Sequence, residues 1–309
     1  MSLQTFKFHL ACLLPYCLRN QVKAVLANRR KKRGLHSSAK LDELRTLLTC
    51  QFPIDTVPPA TGKLRLLQEG NTALLTLFAR KCEENGLRYW MDYGTLLGAV
   101  RHQGFIPWDD DLDVSMLRSD YEKLAQKLPL LFPKEEGFTW KKHAFLQIGY
   151  EGTPLNIDVY PYHLYYEPLY DENMSIIDKK LTRFKKTIVF QPPYLNYTDE
   201  QVQKKISTEI LDKNTPADEN ASPAIFLSPA ITFTKNSAHT YDTIFPLCKL
   251  SFEGRKLYAP NHSRAYLQFF YGDYMAYPPK VGYQHPSVEQ MVKESPFENA
   301  VNHFIDTYS

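Results

Sequence analysis

The chain has no CxxC pair and only five cysteines, Cys12, Cys17, Cys50, Cys82 and Cys248, in 309 residues. An odd, scattered set of this kind offers neither a zinc site nor a disulfide framework, and it suits a reducing compartment. There is also no apolar run long enough to span a bilayer. The N-terminal stretch FKFHLACLLPYCL is short and is broken by His9 and Pro15. Nor does the chain open like a signal peptide, because the charged RNQVKAVLANRRKKRG follows the apolar run instead of preceding it. Acids are missing from residues 1–41, which hold nine of the 37 Lys and Arg; the other 28 face all 34 acids, a net of −6. The body is therefore mildly acidic, which gives nucleic-acid binding by it no support. Residues 1–88 show no βαβ nucleotide-binding pattern and read as mainly helical.

What the chain does have is aromatic mass and a dense acidic knot. Twenty Tyr and eighteen Phe describe a packed globular protein, and the length allows one domain with an insertion or two small domains. The knot lies in RYWMDYGTLLGAVRHQGFIPWDDDLDVSM, residues 88–116, where Asp109, Asp110, Asp111 and Asp113 fall within five positions. Trp108 precedes them, and Leu112, Val114 and Met116 are interleaved with or follow them. Carboxylates set among apolar residues repel one another and lose hydration, so a divalent cation is the expected compensator. In an extended segment Asp109, Asp111 and Asp113 share one face, while Leu112 and Val114 face a core; Asp110 then sits before the strand or in a bend. Alternate carboxylates lie roughly 6–7 Å apart along a strand, a spacing that suits two oxygen-liganded ions about 3.5–4 Å apart. An all-oxygen set favours Mg²⁺ or Mn²⁺ over zinc. A calcium loop fails on the sixth position, Val114 where glycine is needed, and on the twelfth, Asp120 where glutamate is needed. A solvated acidic loop is the plain alternative. Against it stands Gly94-Thr95, placed where a strand turns into a helix; glycine lets backbone approach a phosphate, and helix N-terminal amides hold one. Asp158, in the β-prone run Asn156-Ile157-Asp158-Val159-Tyr160, adds a lone carboxylate on a second strand.

Along the chain, residues 1–60 form a basic amphipathic arm and linker. Arg29 to Arg33 suit an anionic membrane surface, and the prolines at 53, 58 and 59 mark the linker. Residues 61–309 form the catalytic body, with 165–242 a variable insertion. A helix over residues 62–86 carries Leu67, Leu74, Phe78 and Cys82 at spacings of seven and four and stops at Gly86. Residues 87–91 form the first core strand and 95–102 a short helix. Another helix over 118–131 is capped by Ser119 or Asp120. Residues 138–150 and 155–160 read as two strands joined by the Glu151-Gly152-Thr153-Pro154 turn, which brings Asp158 beside the acidic strand. A charged helix is expected near 176–190, a strand pair over 245–258, and a helix over 262–271 ended by Gly272. Tyr274, Tyr277, Pro278 and Pro279 suggest an aromatic wall, a surface able to hold a quaternary ammonium or simply to fill a core. Lys141, Lys142 and His143 face either a phosphate or solvent. Sequons stand at Asn173, Asn196, Asn220 and Asn261.

A Gly-Thr turn, an Asp-x-Asp strand and a lone Asp on another strand make up the arrangement of the nucleotidyltransferase fold. MDYGTLLGAVRHQGFIPWDDDLDVSM resembles the signature of the LicD family, bacterial phosphocholine-type transferases that share their domain with fukutin. The resemblance continues through residues 156–162 and a C-terminal block: Phe245-Pro246-Leu247, Phe252-Glu253-Gly254, Pro260 and Tyr271-Gly272-Asp273-Tyr274-Met275. It covers residues 64–285 with a weak middle, and implies an α+β fold: a nucleotidyltransferase-like mixed β-sheet core flanked by helices, with a helical insertion and an N-terminal helical arm. It further implies metal-dependent transfer of phosphocholine or a related alditol phosphate from a CDP-activated donor to a sugar hydroxyl of a cell-surface glycan, releasing CMP. On that reading Asp109, Asp111, Asp113 and Asp158 hold Mg²⁺ or Mn²⁺, with Asp111, Asp113 and Asp158 catalytic. Gly94, Thr95, Arg101 and His102 contact donor phosphate. The partners are a CDP-alcohol, a glycan acceptor and an anionic membrane surface, with no nucleic acid. The expected location is peripheral, on the cytoplasmic face of a membrane, or else a Golgi lumen. Two rivals stand beside this reading: an Asp-x-Asp glycosyltransferase using a nucleotide-sugar, and a non-catalytic membrane-associated scaffold.

Overall fold

The computed structural model describes residues 37–142, 145–166, 223–227, 238–278, 288, 290 and 296–309. The basic arm of residues 1–36, the expected helix near 176–190, His143, Pro279 and the sequons at Asn173, Asn196 and Asn220 lie outside the described residues. Among the described residues no helix is long and apolar enough to cross a membrane.

The expected linker begins with a helix, α1 (Ser37–Gln51), followed by a single 3₁₀ turn at Ile54–Thr56. Apolar anchors explain the difference: Leu48 and Ile54 are buried in the core, and Arg45 Nε donates to the Tyr277 carbonyl at 2.8 Å. The prolines bound the turn instead of loosening it. Helix α2 (Gly62–Glu84) buries Leu67, Leu74, Phe78 and Cys82, the stripe its periodicity marks, and ends at Asn85 before Gly86, whose φ of +64° suits glycine. The C-terminal helix α7 (Glu298–Tyr308) packs along α2. Gly70 permits the approach, since a Cβ there would stand 2.7 Å from side-chain atoms of both Leu155 and Val301.

The sheet against which these helices pack runs β1 (Trp90–Met91), β2 (Leu112–Leu117), β5 (Asn156–Tyr166), β4 (Leu146–Tyr150), β3 (Phe138–Lys142); β6 (Pro223–Leu227) pairs the far half of β5, and β7 (Ala238–Thr240) pairs β6. Among the described strands only β2 and β5 run parallel, so the sheet is mixed, within an α+β fold. Every residue of β2 is buried, as befits an interior strand covered on both faces. Two local expectations change. Residues 138–150 are two antiparallel strands, not one, with the chain turning back between Lys142 and Leu146. Helix α4 (Arg118–Leu131) takes Leu117 as its N-cap without a side-chain bond. Asp120, inside the first turn, is buried and accepts from Arg88 Nε at 2.8 Å. A second, two-stranded sheet, β8 (Cys248–Phe252) with β9 (Arg255–Ala259), turns through Glu253 and Gly254, both at positive φ. Helix α5 (Tyr241–Ile244) precedes it, and α6 (Ser263–Tyr271) follows and stops at Gly272.

Candidate active site

Three elements meet at the N-terminus of helix α3 (Tyr93–His102). Asp92 is its N-cap and accepts the Tyr93 amide at 2.7 Å. The next amide, on Gly94, donates to Asp113 Oδ2 at 3.2 Å. Thr95 turns inward and its Oγ1 accepts the Asp113 amide at 2.8 Å. The Gly94-Thr95 pair is thus stitched to β2, and the positive end of the helix faces the Asp113 carboxylate. A side chain at Gly94 has no room: its Cβ would lie 2.7 Å from Asp109 Oδ2 and 3.5 Å from Asp113 Oδ2.

Strand register brings in the third acid. In the parallel β2–β5 pair Asp113 stands directly opposite Asp158, and on the other side of β5 Gln147 stands opposite Asp158. Gln147 Nε2 and Asn156 Nδ2 both donate to Asp158 Oδ1, at 3.0 and 2.9 Å. Asp111, Asp113 and Asp158 each offer a carboxylate oxygen within 4.8 Å of the others; Asp109, Asp110 and Asp111 form a second such group. Asp109 and Asp111 do not share a strand face with Asp113 as the spacing implied, because β2 begins only at Leu112 and the three preceding aspartates lie in the connecting loop. Asp110, which alternation set aside, is fully buried. Side-chain amides from α2 hold that loop: Gln68 Nε2 donates to the Asp109 carbonyl at 3.0 Å and Asn71 Nδ2 to the Asp110 carbonyl at 3.3 Å.

Burial pushes the Asp113 carboxyl well above the usual carboxylate range, reinforced by the negative charges of Asp111, Asp158, Asp109 and Asp92. Such a group is either protonated or neutralised by a cation. The donor set is oxygen only, anionic and largely buried, so its chemistry fits a hard divalent ion. Asp92 differs. It too is fully buried, and burial raises its carboxyl to about 6 against the opposing hydrogen bonds from Ser115, Tyr266 and the Tyr93 amide.

Arg101 and His102 are placed differently from the sequence expectation of phosphate contact. Arg101 Nε donates to His102 Nε2 at 3.0 Å and Nη1 to the Tyr274 carbonyl at 2.9 Å. Its guanidinium also lies over the Trp108 ring, 6.0 Å from the centroid. Burial lowers Arg101 to about 10, with Asp109 opposing the shift. Burial and then Arg101 lower His102 to about 4, so that His102 is neutral. Arg101 thus ties the C-terminal segment to Trp108 in the loop before the acids, and His102 accepts from Arg101. The aromatic wall near 274–278 is likewise packed: Tyr277 is buried, and the backbone carbonyls of Tyr274 and Tyr277 are taken by Arg101 and Arg45. Lys141 and Lys142 are exposed.

Several contributors left no local signal. Glu253 receives Arg65 through both carboxylate oxygens, at 3.1 and 2.7 Å, and the Phe105 amide at 3.0 Å, so the β8–β9 turn braces the loop leading to Asp109. Tyr266 and Gln147 reach the site only through long-range packing. Asp92 did carry a signal, an aspartate immediately before a helix start.

A cavity of about 370 Å³ opens beside Asp110, Asp111 and Asp158 against strands β3 to β5, within the range of small-molecule sites. Residues 86–203 match the family described as LicD/FKTN/FKRP, nucleotidyltransferase domain. Over 52 residues the chain is 50% identical to the lipopolysaccharide cholinephosphotransferase LicD of Haemophilus influenzae, covering 17% of this chain and 20% of that one. Over 88 residues it is 36% identical to the human ribitol 5-phosphate transferase FKRP, covering 26% of this chain and 18% of that one. An uncharacterized protein of Rickettsia prowazekii, RP689, is 56% identical over 46 residues, 15% of this chain and 17% of its own. The chain thus spans about a fifth of the length of these relatives. Among solved structures, the terminal uridylyl transferase 4 of Trypanosoma brucei with bound GTP aligns over 57% of this chain and 59% of that one. Its identity is 12% and its TM-score 0.25.

Proposed function

We propose that this chain, whose residues 86–203 match the LicD/FKTN/FKRP nucleotidyltransferase domain, transfers a phosphoalcohol, phosphocholine or a related alditol phosphate, from a CDP-activated donor to a sugar hydroxyl of a glycan, releasing CMP. The observation that supports this most directly is the grouping of Asp111, Asp113 and Asp158, from one strand, its leading loop and the parallel neighbour, within 4.8 Å. These three, with Asp109 on the second group, would hold Mg²⁺ or Mn²⁺. Bound there, a divalent cation neutralises charge on the donor diphosphate and on the departing phosphate.

The chain's own groups do the rest. The α3 N-terminus, with Gly94 bare of a side chain, lets donor phosphate approach the backbone beside Asp113. Asp158, its Oδ1 fixed by Gln147 and Asn156, takes the proton of the acceptor hydroxyl. That oxygen bonds to the phosphorus carrying the alcohol, the phosphorus–oxygen bond to CMP breaks in line on the opposite side, and CMP leaves with the bond's electron pair. Arg101 and His102 position the loop that delivers Asp109. The rival that needs a βαβ nucleotide half before the acid pair finds α1 and α2 there among the described residues. The basic arm would hold the protein at an anionic membrane surface, the cytoplasmic face first and a Golgi lumen second.

The test is incubation with CDP-choline, CDP-ribitol and CDP-glycerol, Mg²⁺ and cell-derived glycan, with CMP release as readout. Glycan-dependent CMP release that disappears in Asp111→Asn is expected. Unchanged release in Asp111→Asn, or consumption of a nucleotide-sugar instead, overturns the reading.

A further inference from the structure

Resting on the transferase reading, we propose that the cavity beside Asp158 is the acceptor subsite, and that it takes an uncharged, hydroxyl-rich chain end, a sugar or an alditol. The donor then lies on the opposite side of the acids, toward α3.

Sheet register builds this cavity. Lys141 pairs with Gln147, Gln147 with Asp158, and Asp158 with Asp113, one row running straight across four strands. Thr139 pairs with Gly149, and Gly149 with Asn156, in the row beside it. Cross-strand partners share a face, so all of these groups line one side of the sheet. The opposite side carries Phe138, Leu146, Ile148, Ile157 and Val159, all buried in the core. One sheet therefore has an apolar face that folds the protein and a polar face that ends on Asp158. Neighbouring strands are about 4.8 Å apart, which puts the Lys141 backbone roughly 10 Å from that of Asp158, about the length of two strand spacings. Gly149 keeps the floor low: a Cβ there would meet the Leu155 carbonyl at 2.7 Å and Thr139 Oγ1 at 3.2 Å.

Hydrogen-bonding chemistry selects the occupant. Asp110, Asp111, Asp158 and Lys141 line the cavity, so carboxylate oxygens there accept from hydroxyl donors. Gln147 and Asn156 each spend one N–H on Asp158, and their amide oxygens remain to accept from a polyol. Amides interleaved with a small hydroxyl residue suit alternating donors and acceptors, and Trp140 and Tyr150, which also line the cavity, offer ring faces to the carbon skeleton of a sugar. In-line displacement gives the same placement, since the attacking hydroxyl and the departing CMP occupy opposite sides of the phosphorus.

Thr139 is exposed, so Thr139→Trp fills the cavity without touching the core. In the CMP-release assay the acceptor KM is expected to rise about tenfold while the donor KM moves by less than about twofold. A raised donor KM with an unchanged acceptor KM overturns the proposal. Binding is read apart from turnover by saturation-transfer NMR, with ribitol and CMP as probes. Ribitol saturation lost in Thr139→Trp with CMP saturation kept supports the subsite. No ribitol saturation in the unsubstituted protein, or loss of the CMP signal instead, overturns it. Should no CDP-alcohol be consumed by the unsubstituted protein, the transferase reading fails and the NMR result still decides the cavity. Lys141→Trp, at another exposed position, repeats both measurements if Thr139→Trp does not fold.

Discussion

Asp92, the N-cap of α3, and Asp113, on β2, are two buried carboxylates whose surroundings oppose each other. The Asp92 amide donates to the Asp113 carbonyl at 3.0 Å, so the two residues share a backbone junction. Around Asp92 the protein supplies donors: Ser115 Oγ at 2.6 Å, Tyr266 Oη at 2.8 Å and the Tyr93 amide at 2.7 Å. Around Asp113 it supplies acids, and burial together with Asp111, Asp158 and Asp109 drives the carboxyl far above its ordinary range. A chain that needed Asp113 only for packing would have surrounded it as it surrounds Asp92. The difference separates an acid ringed by hydrogen-bond donors from an acid that takes one amide, from Gly94, and otherwise stands among acids, the setting that the proposed metal site calls for.

The comparison breaks most visibly on Asp113→Asn. Transfer is expected to fall about a thousandfold, roughly 4 kcal/mol of lost charge stabilisation. In the absence of divalent cation the same variant should be more stable than the parent by about 1–2 kcal/mol, because a repelled, buried charge is gone. Mg²⁺ at about a hundred times its Kd should stabilise the parent by roughly 2.7 kcal/mol and leave Asp113→Asn almost unmoved. Thermal melts with and without Mg²⁺ measure both. Asp92→Ala should behave in the opposite manner. It strands three donors and opens a void, costing about 3 kcal/mol in a urea titration, while the Mg²⁺ response persists. Equal Mg²⁺ responses in the two variants would erase the distinction between these acids. Gly94→Ala lies between them. Its Cβ would press on Asp109 Oδ2, displacing an acid by a few tenths of an ångström to an ångström, and activity should drop by about ten- to a hundredfold with little change in melting temperature.

Legibility in the sequence follows the range of the interactions. The acidic knot, the Gly94-Thr95 turn and the hairpin that brings Asp158 alongside are set by alternation and turn chemistry within a few residues, and all three can be read directly. The start of β2 at Leu112 is less readable, because Gln68 and Asn71 from a distant helix hold the preceding aspartates out of the strand. The split of 138–150 into β3 and β4 has no glycine or proline between the two strands to announce it, since Gly149 lies within β4. Helix α1 looks like a linker because its anchor Leu48 and the following Ile54 are scattered among polar residues and prolines. Gln147, Glu253 and Tyr266 matter through partners 11, 148 to 188, and 174 positions away, distances at which a single sequence holds no periodic signal. Arg101 and His102 are legible as basic residues beside the acids, but not as a pair in which Arg101 Nη1 is turned toward the Tyr274 carbonyl and His102 accepts from Arg101.

His239 sharpens the comparison from the satisfied side. Its ring stacks on Tyr266, the Asp92 donor, with centroids 4.3 Å apart, and lies edge-on to Phe269 and tilted against Phe270. Nε2 has no hydrogen-bond partner among the described residues, and burial lowers the imidazole from 6.5 to about 3. The folded protein therefore holds His239 neutral while the unfolded chain binds a proton below about pH 6.5, so this residue destabilises the fold as pH falls and is silent above that value. Between pH 7 and pH 5 the loss is about 2 kcal/mol. Asp92 works with the opposite sign, since a carboxyl raised to about 6 in the folded state favours folding as pH drops through that value. His239→Phe keeps an aromatic ring on Tyr266 and removes the titration. Its urea midpoint should match the parent's at pH 7 and exceed it at pH 5 by an amount worth about 2 kcal/mol. A parent and variant that lose stability in parallel over that interval would show that His239 takes up its proton without leaving the stack, and the donor side of the junction would then be as adaptable as the acid side is repelled.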